Sequence, residues 1–195
     1  MKKLIFASGN KGKIKELKGI FAGSEFDIVS LYDLNNPIEI EESGSTFYEN
    51  AFIKAKTIYD IYKSPVIADD SGLEIEQLGG RPGVYSARYA FEGCTYEDNN
   101  NKVIEELKDF PEPHRASFVC CAIYYDGVSD IHEFGRLYGR MIKEKKGVEG
   151  FGFDPIFVPD GYDVTLAEFK FEEKNRISHR FRAFEALKKK LIDHY

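Results

Sequence analysis

The sequence lacks an excess of positive charge. Its 33 Asp and Glu residues outnumber its 27 Lys and Arg residues, and the formal net charge is -6. Because affinity for a nucleic-acid backbone comes largely from neutralising phosphates with a basic surface, this balance disfavours a general DNA- or RNA-binding protein. The charge is unevenly distributed, since residues 2–18 carry a net +5, residues 19–162 a net -13 and residues 163–195 a net +2. The pattern indicates either a solvated surface or two chain ends that supply cations to one anion site.

Cysteines and long apolar runs are also scarce. The three cysteines are odd in number and form no Cys-x-x-Cys pair. Neighbours in a strand point to opposite faces, so Cys120 and Cys121 favour reduced thiols in a cytosol. No apolar run approaches the roughly 20 residues that a membrane-spanning helix requires, and the stretch after Met1 is too short for a signal peptide. We therefore expect a cytoplasmic protein that does not bind membranes.

Three catalytic motifs are absent. The loop at residues 9–13 places two residues between Gly9 and the Gly12-Lys13 pair, whereas a Walker A loop needs four. No Gly-x-Ser-x-Gly elbow occurs, so hydrolysis by a Ser-His-Asp triad lacks support. His114, His132 and His194 have no partner at the spacing of metal ligands, which makes a zinc site improbable.

The first half of the chain alternates between strand patterns and helix patterns, which predicts an α/β fold. The predicted elements are a strand over 4–7, a helix that ends near Phe21, a strand over 26–31, a helix that the Thr46–Glu49 capping box opens, and a strand over 65–68 that Asp69 to Gly72 breaks.

The second half contains two long strand-like runs. Residues 116–125 and 131–142 are joined by a turn at Asp126-Gly127, which predicts an antiparallel hairpin and hence a mixed sheet. A final helix is predicted to begin near Ser178. Because no linker rich in Pro, Gly or Ser divides the chain, we expect a single domain over residues 1–195, in which helices flank a mixed central sheet.

Polar residues follow the first predicted strand. Ser8 to Lys13 lie between that strand and the first helix, where backbone N–H groups and a helix N-terminus attract phosphate oxygens. Taken alone, the segment is also compatible with an ordinary turn that contains lysines. It therefore indicates a phosphate site only if other anion-binding residues accompany it.

Carboxylates follow the strand over 65–68. Ligand crevices in α/β sheets open at such strand ends, and neighbouring residues of an extended chain face opposite ways. We therefore expect one of Asp69 and Asp70 to face the crevice, and favour Asp70. Glu39, Glu41 and Glu42 precede the capped helix, where they could join Asp70 in holding a hard divalent ion or merely complement the helix dipole.

Two further segments contain groups that suit a flat, polar ligand. The glycine-broken segment from Gly150 to Pro155 has aromatic residues that could stack on a base or belong to the core. His179 and Arg180 lie at the predicted start of the last helix, where donors suit a carbonyl oxygen. The turn before Arg88 is compatible with a plain tight loop.

Together these motifs resemble one known family, the inosine triphosphate pyrophosphatases or XTP/dITP diphosphatases. The matching segments lie in the family's order over nearly the whole chain, and they are Ser-Gly-Asn-x-x-Lys at 8–13, Glu-Glu-Ser-Gly-x-Thr-Phe-x-Glu-Asn-Ala at 41–51, Ala-Asp-Asp-Ser-Gly-Leu at 68–73, Leu-Gly-Gly-x-Pro-Gly-Val-Tyr-Ser-Ala-Arg-Tyr at 78–89, Gly-Phe-Gly-Phe-Asp-Pro-Ile-Phe at 150–157 and Glu-Lys-Asn-x-Ile-Ser-His-Arg at 173–180. The resemblance implies a homodimeric mixed α/β fold with two lobes around an active-site cleft. It also implies Mg²⁺-dependent hydrolysis of deaminated purine nucleoside triphosphates to the monophosphate and pyrophosphate.

The resemblance also implies roles for individual residues. Asp70 becomes the general base and a Mg²⁺ ligand, with a further ligand in the Glu41-Glu42 pair, of which Glu42 is preferred. Asp69 and Lys13 are expected to take part in catalysis. Phosphate contacts fall on Ser8, Gly9, Asn10, Lys11, Gly12, Lys13, Lys54 and Ser71, and Arg88 is a further substrate-binding residue. The base-binding set falls on Phe151, Gly152, Phe153, Asp154, Lys174, His179 and Arg180.

The predicted function is to cleanse the nucleotide pool of ITP, dITP and XTP. His179 and Arg180 would donate hydrogen bonds to the 6-carbonyl of hypoxanthine or xanthine, which the amino group of adenine could not accept. Phe153 stands where tyrosine is common in bacterial members, but its aromatic face remains. Two alternatives stay open: a nucleotide sensor without catalysis, and a pyrophosphatase of the septum-inhibitor type that acts on pyrimidine triphosphates.

Overall fold

A computed structural model describes residues 1–34, 38 and 40–194 of the chain; Glu39, grouped above with Glu41 and Glu42, lies outside the described residues. Strands and helices alternate over the first half. They are β1 (Lys2–Phe6), α1 (Lys11–Phe21), β2 (Phe26–Ser30), α2 (Phe47–Tyr62) and β3 (Val66–Ile75).

The second half is richer in strands. Its elements are β4 (Pro82–Gly83), α3 (Tyr96–Leu107), β5 (His114–Tyr125), β6 (Asp130–Met141), β7 (Phe157–Pro159), α4 (Phe171–Ile177) and α5 (His179–His194). The sequence analysis did not predict α3, although Thr95 and Asp98 form a capping box at its start. The final helix begins one residue after the predicted Ser178.

The seven strands of the described residues form one mixed sheet, in the order β2-β1-β3-β5-β6-β7, with β4 paired to β3. β1 is parallel to β2 and β3, whereas the β3–β4 and β6–β7 pairs are antiparallel. β5 and β6 are neighbours joined by residues 126–129 alone, a connection too short for a parallel crossover. The predicted mixed α/β class and the hairpin are therefore confirmed.

The predicted end of the third strand is wrong. β3 does not break at Asp69 but continues to Ile75, and Gly72 lies within it. Leu73 and Ile75 are fully buried, so the apolar pattern resumes after the two carboxylates. Asp69 and Asp70 interrupt the apolar pattern of the strand but not its backbone, because each carboxylate is paired with a lysine.

The described chain divides into two compact units that alternate along the sequence. Unit 1 comprises Met1–Asp70, Cys120–Gly135 and Arg180–Tyr195, and unit 2 comprises Ser71–Val119 and Arg136–His179. β3, β5 and β6 contribute residues to both units. The absence of a linker in the sequence agrees with this interleaving, since neither unit is a continuous segment.

Each unit has its own hydrophobic core. In unit 1, Phe184 of α5 packs edge-on against Phe6 of β1 and Phe21 of α1, with ring centroids 6.1 and 6.2 Å apart. In unit 2, Phe118 of β5 packs against Phe157 of β7 at 4.7 Å. α5 is thus anchored on β1 and α1 on α5, and this packing positions α1.

The cysteines and the helices can be compared with the expectations of reduced thiols and of no membrane-spanning helix. Cys120 and Cys121 are buried, and all three cysteines are free thiols. No helix among residues 1–34 and 40–194 is long and apolar enough to span a bilayer.

A buried histidine in unit 2 makes stability depend on pH. The Gln77 amide donates from Nε2 to the carbonyl of Pro111, so its Oε1 faces His114 Nδ1 at 3.1 Å as an acceptor. His114 Nε2 has no hydrogen-bond partner among the described residues. Burial, and to a lesser extent Lys143, lowers the pKa of His114 below its usual value. The imidazole is therefore held in the neutral form.

We expect the free energy of unfolding to fall as the pH drops below about 6.5, because the unfolded chain then binds a proton that folded His114 resists. Chemical denaturation at a series of pH values measures this slope. His114→Asn should flatten it, whereas His132→Asn, on the exposed part of β6, should leave it unchanged. Equal slopes in the parent and His114→Asn proteins would contradict the assignment.

Candidate functional site

The loop after β1 is shaped by its own polar side chains. Asn10 is the N-cap of α1 and accepts a hydrogen bond from the Lys13 N–H at 3.1 Å, while Ser8 Oγ accepts one from the Asn10 N–H at 3.2 Å. The first turn of α1 contains no acidic residue. A side chain at Gly9 would meet nothing within 4 Å, so the backbone is open to a ligand. This loop therefore presents a positive helix terminus suited to phosphate oxygens.

Asp69 anchors this loop to the sheet. Its Oδ2 lies 2.9 Å from Lys13 Nζ and 3.3 Å from Arg180 Nε, and the carboxylate is almost completely buried. Arg180 also donates to the buried Glu16 of α1. Burial raises the pKa of Asp69, but Lys13 and Arg180 outweigh it and hold the pKa well below its ordinary value. Asp69 is therefore an ionised partner for two cations.

Asp70 faces a different set of partners. Lys54 Nζ lies 3.1 Å from Glu42 Oε2 and 3.5 Å from Asp70 Oδ1, so one ammonium bridges two carboxylates. Burial raises the pKa of Asp70 despite the opposing charge of Lys54. Burial lowers the pKa of Lys54, but Asp70 and Glu42 outweigh it and leave the pKa raised. We call Lys13, Asp69, Lys54, Glu42 and Asp70 the charged cluster of unit 1.

The oxygen donors of this cluster suit a hard divalent cation. A buried ammonium already balances Glu42 and Asp70, which shows that the pair accommodates positive charge. Glu41, the alternative ligand, is exposed. Within residues 1–34 and 40–194 no three His, Cys, Asp or Glu side chains are grouped to hold a metal. Mg²⁺ is commonly bound by one or two carboxylates together with substrate phosphates, and Glu42 and Asp70 fit that arrangement.

The sequence analysis missed two buried polar residues of unit 1. Glu16, on α1, pairs with Arg180, and Asn50, on α2, donates from Nδ2 to Asp70 Oδ2 at 3.2 Å. A signal for both existed in the sequence. Each occupies the buried face of its helix, next to Leu17 or Ala51, where a polar side chain needs a partner.

In unit 2, a buried ion pair supports an aromatic ring. Lys174 Nζ lies 2.6 Å from Asp154 Oδ2 and 4.6 Å from the ring centroid of Phe151. The Asp154 carboxylate also accepts a hydrogen bond from the Phe151 N–H at 2.8 Å. Phe151 is only half-buried, so part of its surface is accessible. We call Phe151, Asp154 and Lys174 the aromatic cluster of unit 2.

The glycines around Phe151 are required by the backbone. Gly150 has a φ of +77°, and a Cβ there would lie 2.1 Å from Asp154 Oδ2. Gly152 has a φ of +66°, and its carbonyl accepts a hydrogen bond from Asn100 Nδ2 at 3.1 Å. Asn100 lies on the unpredicted α3, so sequence reasoning missed it. Phe153 is buried in the core of unit 2.

The remaining predicted residues are divided between the units. His179 is buried in unit 2 and stacks on Phe118, with ring centroids 4.9 Å apart and an interplanar angle of 12°. Its neighbour Arg180 belongs to unit 1, with Asp69. Ser71 and Arg88 belong to unit 2, and the Arg88 guanidinium lies 5.4 Å from the Tyr85 ring centroid. The base-binding role of Arg180 stays a prediction.

The two clusters differ in their chemistry. The charged cluster and the α1 terminus present ammonium groups and backbone N–H groups to anions, and they present carboxylates to a cation. The aromatic cluster presents a ring face with a cation and a carboxylate beside it. The charged cluster is therefore suited to a polyanion with a bound cation, and the aromatic cluster is suited to a flat heterocycle.

Comparisons with known proteins give a consistent result. The model of a family described as the Ham1 family matches residues 4–190. A protein of Oceanobacillus iheyensis named dITP/XTP pyrophosphatase is 48% identical over 192 residues, covering 97% of this chain and 98% of that protein. A Bacillus subtilis protein of the same name is 45% identical and covers 98% of both chains.

Solved structures of similar chains agree with the fold. The Ham1 protein of Staphylococcus aureus has a TM-score of 0.88 at 37% identity, covering 100% of both chains. A HAM1 protein of Coxiella burnetii has a TM-score of 0.90 at 36% identity, covering 99% of this chain and 100% of that one.

The buried pair in the aromatic cluster generates a stability prediction. Asp154→Ala leaves the Lys174 ammonium buried without its carboxylate, and we expect it to lower the free energy of unfolding by about 3–5 kcal/mol. Adding Lys174→Met should recover part of that loss. Chemical denaturation of both single variants and the double variant measures the coupling.

The matched control is Asp60→Ala, which breaks the exposed Lys56–Asp60 pair of α2. Exposed pairs contribute about 0.2–1 kcal/mol, so this variant should be nearly as stable as the parent. If Asp154→Ala is no more destabilising than Asp60→Ala, Lys174 is not held in a desolvated pair.

Proposed function

Because the chain belongs to the Ham1 family, we propose that it is a nucleoside triphosphate pyrophosphatase that hydrolyses dITP, XTP and ITP to the monophosphate and pyrophosphate. The membership agrees with the resemblance carried by the sequence motifs. The observation that carries the proposal is the charged cluster, in which two lysines pair with three carboxylates and one of the lysines, Lys13, lies in the first turn of α1. Removal of such triphosphates would cleanse the nucleotide pool.

The charged cluster supports binding of the triphosphate. Lys13 and Lys54 are cations held in place by Asp69, Glu42 and Asp70, so their side chains are ordered before a ligand arrives. Preorganised cations stabilise the charge that develops on phosphate oxygens without reorganising during the reaction. The Ser8–Lys13 loop would provide further N–H donors for the phosphates of the same ligand.

Mg²⁺ is the cofactor of the proposal, and Glu42 and Asp70 would hold it. When bound, Mg²⁺ supplies charge neutralisation on the phosphate oxygens that an attacking water must approach. Glu42, half-buried and in contact with Lys54, suits this role better than the exposed Glu41.

Asp70 is the proposed general base. The products require water to attack the α-phosphorus, since the pyrophosphate leaves intact. Asp69 is poorly suited to take the proton, because Lys13 and Arg180 hold its pKa well below the ordinary value. The pKa of Asp70 is instead raised by burial, which makes its carboxylate the better proton acceptor. Asp69 would act by orienting Lys13.

Selectivity for deaminated purines would come from the aromatic cluster and its neighbours. Phe151 offers a ring face for stacking, and His179 and Arg180 are the predicted donors to the 6-carbonyl. Adenine would place an amino group against those donors and leave buried polar groups unpaired, which a binding site rejects strongly. The Arg180 guanidinium is already engaged by Glu16 and Asp69. Base selectivity would therefore come mainly from His179 and the aromatic cluster of unit 2.

Two further properties belong to this proposal. The resemblance implies that the enzyme is a homodimer, and the composition of the sequence predicts that it acts in the cytoplasm. Size-exclusion chromatography with light scattering tests the dimer directly.

The decisive assay measures product release by the purified protein. With Mg²⁺ and dITP, XTP or ITP we expect stoichiometric pyrophosphate and monophosphate, and much slower turnover of ATP. Orthophosphate in place of pyrophosphate would refute the assigned bond. Tight binding without turnover would point to a nucleotide sensor, and faster turnover of dTTP or UTP would point to a pyrimidine enzyme.

Replacement of the proposed base gives a second test. Asp70→Asn should lower kcat by about two to four orders of magnitude, the usual contribution of a general base. Circular dichroism should show an intact fold. Asp60→Asn, on the exposed face of α2, should retain parent activity. Near-parent turnover by Asp70→Asn would show that another group accepts the proton.

A further inference from the structure

Asn50 is buried in a helix, where asparagine is normally unfavourable. It lies in the second turn of α2 and is only 1% exposed. Asparagine is a poor helix former because its side chain competes for backbone hydrogen bonds, and a buried amide needs partners of its own. Both polar atoms of Asn50 have one: Oδ1 accepts from the Gly44 N–H at 2.8 Å, and Nδ2 donates to Asp70 Oδ2 at 3.2 Å.

The chemistry of these partners determines which way the amide points. A backbone N–H such as that of Gly44 can only donate, so the atom facing it must be the oxygen. The NH₂ group is thereby directed towards Asp70, which as a carboxylate accepts. One side chain therefore connects the segment that precedes α2 with the proposed catalytic carboxylate on β3.

We propose that Asn50 is a positioning residue that holds Asp70 and the segment bearing Glu42 at the separation needed to bind a divalent cation. The inference rests on the proposed function, which supplies the Mg²⁺ requirement. Asn50 touches neither the cation nor the substrate in this assignment; it acts through Asp70 and Gly44.

We call the hydrogen bonds of Asn50 to Gly44 and to Asp70 the tie. Lys54 explains why this tie must be uncharged. Lys54 lies one helical turn after Asn50 and contacts both Glu42 and Asp70. An arriving divalent cation is positively charged like this ammonium and competes with it for the same carboxylates. The amide of Asn50 is uncharged and does not compete. It engages Asp70 Oδ2, while Asp70 Oδ1 lies 3.5 Å from Lys54 Nζ.

Gly44 makes the tie possible. A Cβ at Gly44 would lie 2.7 Å from Asn50 Oδ1, 2.7 Å from Glu49 Cβ and 2.9 Å from the Asn50 backbone nitrogen. Only glycine allows the N–H to approach this closely. The following residues are also bound to the start of α2, because Glu49 Oε2 accepts from the N–H groups of Ser45 and Thr46. Glu42 thus lies two residues before an anchored point.

The test breaks the tie from each end. Asn50→Leu removes both hydrogen bonds at similar volume, and Gly44→Ala displaces the Gly44 N–H while keeping the amide of Asn50. Mn²⁺ binding without nucleotide, measured by electron paramagnetic resonance, should weaken by about 10–100-fold in each variant, as when the supporting partner of a metal ligand is lost. The Mg²⁺ concentration for half-maximal hydrolysis should rise in parallel, and kcat should fall more than KM changes at saturating Mg²⁺.

The control separates this role from simple stability. Ile58→Ala removes a fully buried side chain from α2, two turns beyond Asn50, without touching the tie. It should lower the melting temperature yet leave Mn²⁺ affinity unchanged. Parent-like Mn²⁺ affinity in Asn50→Leu would overturn the proposal. An equal loss of Mn²⁺ affinity in Ile58→Ala would also overturn it. So would a Mn²⁺ affinity of Asp70→Asn that equals that of the parent protein.

The readouts also separate this inference from the proposed function. A parent protein that binds Mn²⁺ through Asp70 but releases no pyrophosphate would refute the function, and the Mn²⁺ affinities would still decide the role of Asn50. Conversely, pyrophosphate release by the parent with unchanged Mn²⁺ binding in Asn50→Leu would refute only the positioning role.

Discussion

The buried carboxylate of Asp69 is the constraint on which unit 1 depends. A charge with almost no contact with water must be paired, and Asp69 is paired with Lys13 from α1 and Arg180 from α5. Of the two helices that bear these cations, α5 packs on β1 through Phe184 and Phe6, and α1 packs on α5 through Phe21. Hydrophobic packing brings the helices to the sheet, and the ion pairs then determine where the start of α1 and its phosphate loop lie.

Two adjacent carboxylates acquire different chemistry from this arrangement. Asp69 has two cations beside it and stays ionised, whereas Asp70 shares one ammonium with Glu42 and has a raised pKa. The same residue type thus serves as an anchor at one position and as the proposed base at the next. In unit 2 a similar buried pair, Lys174 with Asp154, orders an aromatic ring instead of a phosphate loop.

Local signals in the sequence predicted much of the fold. The capping box at Thr46, the hairpin turn at Asp126 and the apolar runs of β1 and β2 depend on neighbouring residues, so they are visible without the tertiary structure. The boundary of β3 was misjudged because carboxylates ordinarily end a strand, and only their buried partners permit it to continue. α3 was missed because its sequence is polar over most of its surface, although Thr95 and Asp98 form a capping box.

By itself, the sequence determined the family, the mixed α/β class and the motifs that carry the chemistry, because these depend on residue types and spacing along the chain. The tertiary structure alone decided which charges meet. It separated the partners of Asp69 from those of Asp70, placed Arg180 with Glu16, and revealed Asn50 between Gly44 and Asp70. Pairing of buried polar groups is a property of distance in space, and the spacing of these residues along the chain, up to 164 positions for Glu16 and Arg180, does not encode it locally.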